Sequence, residues 1–183
     1  MEYIALLRGV NVGGHVVKMA DLRALFEALG LEDVRTYIQS GNVFFTARES
    51  DREALAARIE SHLEKRLGYE VATCLRTTQE VRKTMARNPF DGLTVTPDMR
   101  LCVVFTRDPI PKGLSLPLLS PKKDLEILST TRQEAFVVWH VINGRPPSSA
   151  FLDLSLGKKT TSRFYHTMGK ILEAATAKPK EEL

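Results

Sequence analysis

Apolar positions along the chain follow two periods, and the switches between them mark the elements. Tyr3 to Leu7 is apolar at successive positions, which predicts a central strand buried on both faces. Beyond a glycine-containing loop, Met19, Leu22, Leu25, Phe26 and Leu29 recur at helical spacing, and Gly30 stops that helix. Val34 to Gln39 reads as a strand. Ser40-Gly41-Asn42 supplies a tight turn, with Gly41 free to take positive φ, and Val43 to Thr46 returns as the hairpin partner. Ser50 and Glu53 form a capping-box pattern ahead of Leu55, Ile59, Leu63 and Leu67, a stripe repeating every fourth residue until Gly68. Val71 to Arg76 is a further strand. Thr77 and Glu80 form a second capping box, opening a helix that Asn88-Pro89 ends.

The order through Arg76 is β-α-β-β-α-β, the ferredoxin-like arrangement of two helices on one face of an antiparallel sheet. Asn88 to Asp98 is loose and carries two prolines and a glycine, so it reads as a join. The expected division is residues 1–88, a ferredoxin-like α+β subdomain, and residues 97–183, a second α+β subdomain packed on it. In the second part Leu101 to Thr106 is a strand, and Pro109 to Pro121 is a four-proline loop with room for one short helix. Leu125 to Ser129 and Glu134 to Ile142 form a hairpin around Thr130 to Gln133. A short helical stretch near Ser148 to Leu154 precedes a last helix bearing Phe164, Met168, Ile171, Leu172 and Ala175. This second half reads as a smaller, related β-α-β-β-α unit. Lys178 to Leu183 should fray.

Composition adds limits. Of the 183 residues 43% are hydrophobic and 26% charged, an ordinary globular balance that argues against disorder. No apolar run nears the roughly 18 residues that would cross a membrane. The opening MEYIALLRGV is too short and too acidic at Glu2 for a secretory signal. Two cysteines make no disulfide scaffold, so the expected location is the cytoplasm. Residues 1–100 hold 14 basic and 14 acidic side chains, whereas 101–183 hold 12 and 8, so the net charge of +4 belongs to the C-terminal half. That excess favours an anionic partner weakly, and nucleic-acid domains carry denser basic clusters.

Two segments carry candidate chemistry. Arg8-Gly9-Val10-Asn11-Val12-Gly13-Gly14-His15 leaves a buried strand, and its glycines let backbone N–H groups approach a ligand. Arg8 supplies a cation, and Asn11 a donor and an acceptor. The register is not a dinucleotide fingerprint, since Asn11 stands at the middle glycine position. The second segment, Leu156 to Arg163, is expected to enter the last helix, capped by Thr160, Thr161 or Ser162. Lys158, Lys159 and Arg163 would then face the positive end of the helix dipole, a conflict that a bound phosphate or carboxylate resolves. It is no Walker loop, because Leu152 replaces the first glycine. For both segments the plain alternative stands: a loop needing glycine for its own turn, and lysines reaching into water.

Other chemistry is not indicated. His15, His62, His140 and His166 lack the paired spacing of a zinc site, so no metal is implied. His140 reads as a packed residue, and His166 shares a helix face with Arg163. Cys74 and Cys102 fall in strands and read as small hydrophobes. No nucleophile elbow or kinase motif is present. No cofactor or oligomeric state is indicated.

Ala5 to Gly14, Lys18-Met19-Ala20-Asp21-Leu22 and Thr36 to Val43 resemble the bacterial family known as domain of unknown function 1697. The stretch Thr161-Ser162-Arg163 through Tyr165, Thr167 and Lys170 is similar to the C-terminal signature of that family. There the family more often has Arg-Asn-Trp-Asn-Thr, where this chain has Arg163-Phe164-Tyr165-His166-Thr167. The resemblance implies a two-part α+β fold with ferredoxin-like character and no established activity. Three functions are carried forward. The first is an anionic or phosphorylated small-molecule site between the halves, lined by Arg8, Asn11, Gly13, Gly14, Lys158, Thr161 and Arg163. The others are a nucleic-acid-binding module and a protein-interaction domain with no small-molecule site.

Overall fold

The first sheet begins with β1 (Glu2–Leu7), whose six residues are buried from Tyr3 onward. The computed structural model describes residues 1–177, so the expected fraying of Lys178 to Leu183 lies outside the described residues. The order continues α1 (Met19–Glu27), β2 (Glu32–Tyr37), β3 (Asn42–Thr46), α2 (Arg52–Leu67), β4 (Thr73–Thr77), α3 (Thr78–Ala86) and β5 (Met99–Thr106). It ends β6 (Leu118–Leu119), β7 (Leu125–Thr130), β8 (Glu134–His140), α4 (Ala150–Leu156), β9 (Thr160–Phe164) and α5 (Tyr165–Thr176).

The strands form two antiparallel sheets. The first has the order β2-β3-β1-β4, and the second β6-β7-β8-β5-β9. β1 pairs Ala5 with Val43 on one side and with Leu75 on the other, which makes it central, as its unbroken apolar run requires. The first sheet therefore has ferredoxin-like strand order, with α1 and α2 on one face. Tyr3, Ala5, Leu7 and Phe45 meet Leu22 and Phe26 of α1 and Leu55, Ile59 and Leu63 of α2 there. Each fully buried leucine, isoleucine or phenylalanine among them contributes about 1.5–3 kcal/mol.

The alternate side chains of the same strands, Ile4, Leu6, Phe44 and Cys74, form a second core. It includes Val103, Phe105, Phe136 and Val138 of the second sheet, Val81 of α3 and Met168 and Ile171 of α5. The outer face of the second sheet carries Cys102, Val104, Ile127 and Val137, covered by Leu152 and Leu156 of α4. β1 thus lies between two cores.

Local signals account for most boundaries. Thr77 and Glu80 form the expected capping box at α3. At α2 the cap is Asp51 instead of Ser50: its side chain accepts from the N–H groups of Glu53 and Ala54. A carboxylate there also meets the positive helix end, which a serine hydroxyl does not exploit. Gly68 closes α2 at φ 82°.

The second half departs from the expected β-α-β-β-α order. The proline-rich loop holds the two-residue strand β6 in place of a helix, since its prolines lack N–H donors. Thr160–Phe164, expected to enter the last helix, is strand β9, pairing Val104 with Ser162 and Thr106 with Thr160. Thr160, Thr161 and Arg163 are buried and its threonines are β-branched, so the open edge of β5 takes it as a strand. α5 begins only at Tyr165, and Arg163 and His166 do not share a helix face. His140 is partly exposed at the end of β8, with Nε2 3.9 Å from Glu126 Oε2. No helix of the described residues is long and apolar enough to cross a membrane.

Candidate functional site

The loop after β1 is held by its own polar groups. Asn11 Nδ2 donates to Gln39 O at 2.9 Å, and Asn11 Oδ1 accepts from Val17 N at 2.7 Å. Asn11 is therefore a brace across the loop, not a group offered to a ligand. Tyr69 donates its hydroxyl to Val10 O at 3.2 Å, and its ring stacks on His15 with centroids 3.7 Å apart. Burial raises the Tyr69 hydroxyl above its ordinary value. Gly13 has φ 67°, and a Cβ there would meet nothing within 4 Å. Glycine is needed for the backbone conformation, and the space beside it is open.

Arg8 closes the base of this loop. Its guanidinium forks onto Asp153 of α4 at 2.7 and 2.8 Å. Nη1 also donates to Lys158 O at 2.6 Å, and Thr160 Oγ1 donates to Asp153 Oδ1 at 3.1 Å. This hydrogen bond to Asp153 raises the Arg8 pKa, against the opposing effect of burial. Arg8 thereby ties the end of β1 to the turn between α4 and β9.

That tie brings the two sequence segments together. Arg8, Gly9, Gly13, His15, Tyr69 and Lys158 line a cleft of about 580 Å³. Gly14, at φ 91°, follows Gly13 but is not in the cleft wall. Lys159 lines the cleft too, with Nζ 3.4 Å from Glu60 Oε2 and 4.0 Å from Glu70 Oε1. Lys158 is exposed, and among the described residues no carboxylate pairs with it.

Thr161 and Arg163 are placed elsewhere. Thr161 donates its hydroxyl to Leu7 O at 3.2 Å and accepts from Arg163 Nη1 at 2.7 Å. Arg163 is 8% exposed and spends its donors inside the protein. Nε donates to Asn42 Oδ1 at 2.7 Å, Nη1 to Ser162 O at 2.9 Å, and Nη2 to Leu7 O at 3.1 Å and Ser40 O at 2.9 Å. Burial without a carboxylate partner pushes its pKa down to about 10. Three of the stretches that resemble the family, those around Leu7, Ser40–Asn42 and Arg163, meet at this guanidinium.

Of the expected site residues, then, Arg8, Gly13 and Lys158 share one cleft, Gly14 adjoins it, and Asn11, Thr161 and Arg163 belong to the frame. The supposed clash of cations with a helix start is removed, because residues 160–164 form a strand. Sequence reasoning missed Asp153, Glu60, Tyr69 and Asn42. Arg8 and Asp153 lie 145 positions apart, and no local pattern signals such a pair. Tyr69, one residue after the Gly68 stop, had the one readable signal: an amphipathic ring at the mouth of a helix end.

The faces of β1 in the first sheet are covered on both sides, so these strands present no open platform on which bases could stack. Cys74 and Cys102 are free and buried, as their strand positions predict. Among curated proteins no relative matches the sequence. Among solved structures the fold is similar to that of the conserved bacterial protein SP0830 from Streptococcus pneumoniae. The TM-score is 0.66 at 22% identity, over 96% of this chain and 98% of that one. The family model for a protein of unknown function, DUF1697, matches residues 1–136, and the chain belongs to that family.

Proposed function

We propose that this is a cytoplasmic protein that binds a small phosphorylated or otherwise anionic molecule in the cleft between the loop after β1 and the α4–β9 turn. The observation that supports the reading most is Lys158, an exposed cation without a carboxylate partner among the described residues, facing a glycine loop. Arg8 contributes through position. Engaged by Asp153, it holds the turn carrying Lys158 against the loop. Lys158 and the loop N–H groups near Gly13 would meet the anion, and the His15–Tyr69 pair would flank it. Asn11, Thr161 and Arg163 keep the frame rigid. The buried free thiols suit a reducing compartment, which supports the cytoplasm.

The test is calorimetric titration with inorganic pyrophosphate. Binding should weaken as salt rises, and Lys158→Ala should weaken it about fivefold, the worth of one partly exposed charge contact. Absence of heat at millimolar pyrophosphate, or an unchanged affinity in the variant, would overturn the reading.

A further inference from the structure

The Lys158 cleft is larger and less polar than an anion alone requires. At about 580 Å³ it falls within the roughly 300–1,000 Å³ of sites for small organic ligands. Beside Arg8, the glycines and the two lysines, its wall is made by Val12, His15, Tyr69, Glu70 and Ala72.

These residues build a second kind of surface next to the cations. Tyr69 is fixed at both ends: its hydroxyl donates to Val10 O at 3.2 Å, and its ring packs against the first core. His15 lies on that ring, with centroids 3.7 Å apart and planes 24° from parallel. Tyr69 covers one face of the imidazole. His15 is nevertheless exposed and lines the cleft, so the surface it gives the cleft is the opposite face and the ring edge. His15 N donates to Val12 O at 3.3 Å, and Val12 is 66% exposed in the same wall. An imidazole backed by a fixed ring, beside an exposed valine, is a stacking surface for a flat base.

Glu70 adds a third feature. Its side chain is 69% exposed, with Oε1 4.0 Å from Lys159 Nζ, which Glu60 already holds at 3.4 Å. An exposed carboxylate in the wall accepts from hydroxyl groups and repels an extended chain of phosphates. The cleft thus suits one anionic group joined to a hydroxyl-bearing body with a flat ring.

The geometry points to a nucleoside monophosphate as the ligand class of this cleft. Its phosphate meets Lys158 and the loop N–H groups near Gly13, its sugar hydroxyls face Glu70, and its base lies on the outer face of His15. This rests on the reading of the cleft as an anion site and adds the sugar and the base to it.

The intact protein is titrated by calorimetry with adenosine 5′-monophosphate, ribose 5-phosphate and inorganic pyrophosphate, and His15 is followed through its imidazole C–H resonances. The first two probes carry the same phosphate and differ by the base. The mononucleotide should bind about tenfold more tightly than ribose 5-phosphate, the worth of one base on one ring face. At saturation the His15 resonances should move upfield with the mononucleotide and stay in place with ribose 5-phosphate, because a stacked base shields the imidazole protons. His15→Gln keeps a polar side chain over Tyr69 but no ring. It should bring the mononucleotide to within about twofold of ribose 5-phosphate. Equal binding of these two probes to the native protein, unmoved His15 resonances, or an undiminished preference in His15→Gln would overturn the proposal. If pyrophosphate still binds through Lys158 in that case, the anion site stands without the nucleotide. Absence of binding by all three probes would overturn both. Tighter binding of a 5′-phosphorylated trinucleotide than of the mononucleotide would assign the cleft to a nucleic-acid end and overturn the proposal too.

Discussion

Replacing Arg163 by methionine removes the guanidinium but keeps a long apolar stem in its place. Ser40 O and Asn42 Oδ1 then lose their donors, at 2.9 and 2.7 Å in the native protein. Leu7 O keeps Thr161 Oγ1 at 3.2 Å, and Gly41 O keeps Leu7 N at 2.8 Å. The buried Asn42 Oδ1 costs about 1–3 kcal/mol when orphaned, and Ser40 O, on an exposed residue, costs less because water can reach it. Part of this is offset, because a poorly solvated charge leaves with the side chain. The net expectation is a loss of about 2 kcal/mol. In urea this lowers the unfolding midpoint by about 1 M for a slope of about 2 kcal/mol/M. By heat it lowers Tm by about 4–8 °C for a chain of this size. Arg163→Lys should recover little, since three donors at one point cannot replace a planar fork. A loss below about 1 kcal/mol would refute the view of Arg163 as the tie between Leu7, Ser40 and Asn42.

Gly41→Ala should cost about 1–3 kcal/mol in urea unfolding, because φ is 71° and the new Cβ would lie 3.0 Å from Leu7 Cβ. Gly13→Ala, with open space at φ 67°, should cost only the strain of about 1–2 kcal/mol. Cys74 and Cys102 should resist a thiol reagent at pH 8 until denaturant is added, since burial pushes their thiols up to about 11 and about 12; rapid native labelling would contradict this. Burial alone would raise Glu80, but the Thr77 N–H and Arg52 outweigh it and hold the carboxyl below its ordinary value. Its stabilisation is present above the unfolded pKa and is lost as pH falls through the lower folded one. Glu80→Gln should therefore flatten the acid limb of stability against pH, and an unchanged limb would count against the capping box.

Periodicity carried the first half of the fold well. Tyr3 to Leu7 announced a doubly buried strand, and Thr77 with Glu80 announced a cap, because both signals are local. Residues 160–164 misled because Thr-Thr-Ser-Arg-Phe suits a helix cap as readily as an edge strand. Only the open edge of β5, set by pairing across the chain, decides between them. The same limit governed the site. Arg8 and Lys158 could be picked out as cations near glycines, and the structure brings them to one cleft. That Arg8 is engaged by Asp153, and that Arg163 is buried against Asn42, depends on contacts 145 and 121 residues apart. An arginine reads alike in sequence whether it awaits an anion or ties carbonyls together.

The most direct measurement is an amide-resolved titration of the intact protein with inorganic pyrophosphate. Saturating shifts confined to Gly9, Gly13, Gly14, His15 and Lys158, with the midpoint moved to about fivefold higher pyrophosphate in Lys158→Ala, are expected from an anion seated in the cleft. Shifts scattered over the basic surface without saturation, or none at all, would contradict a site there.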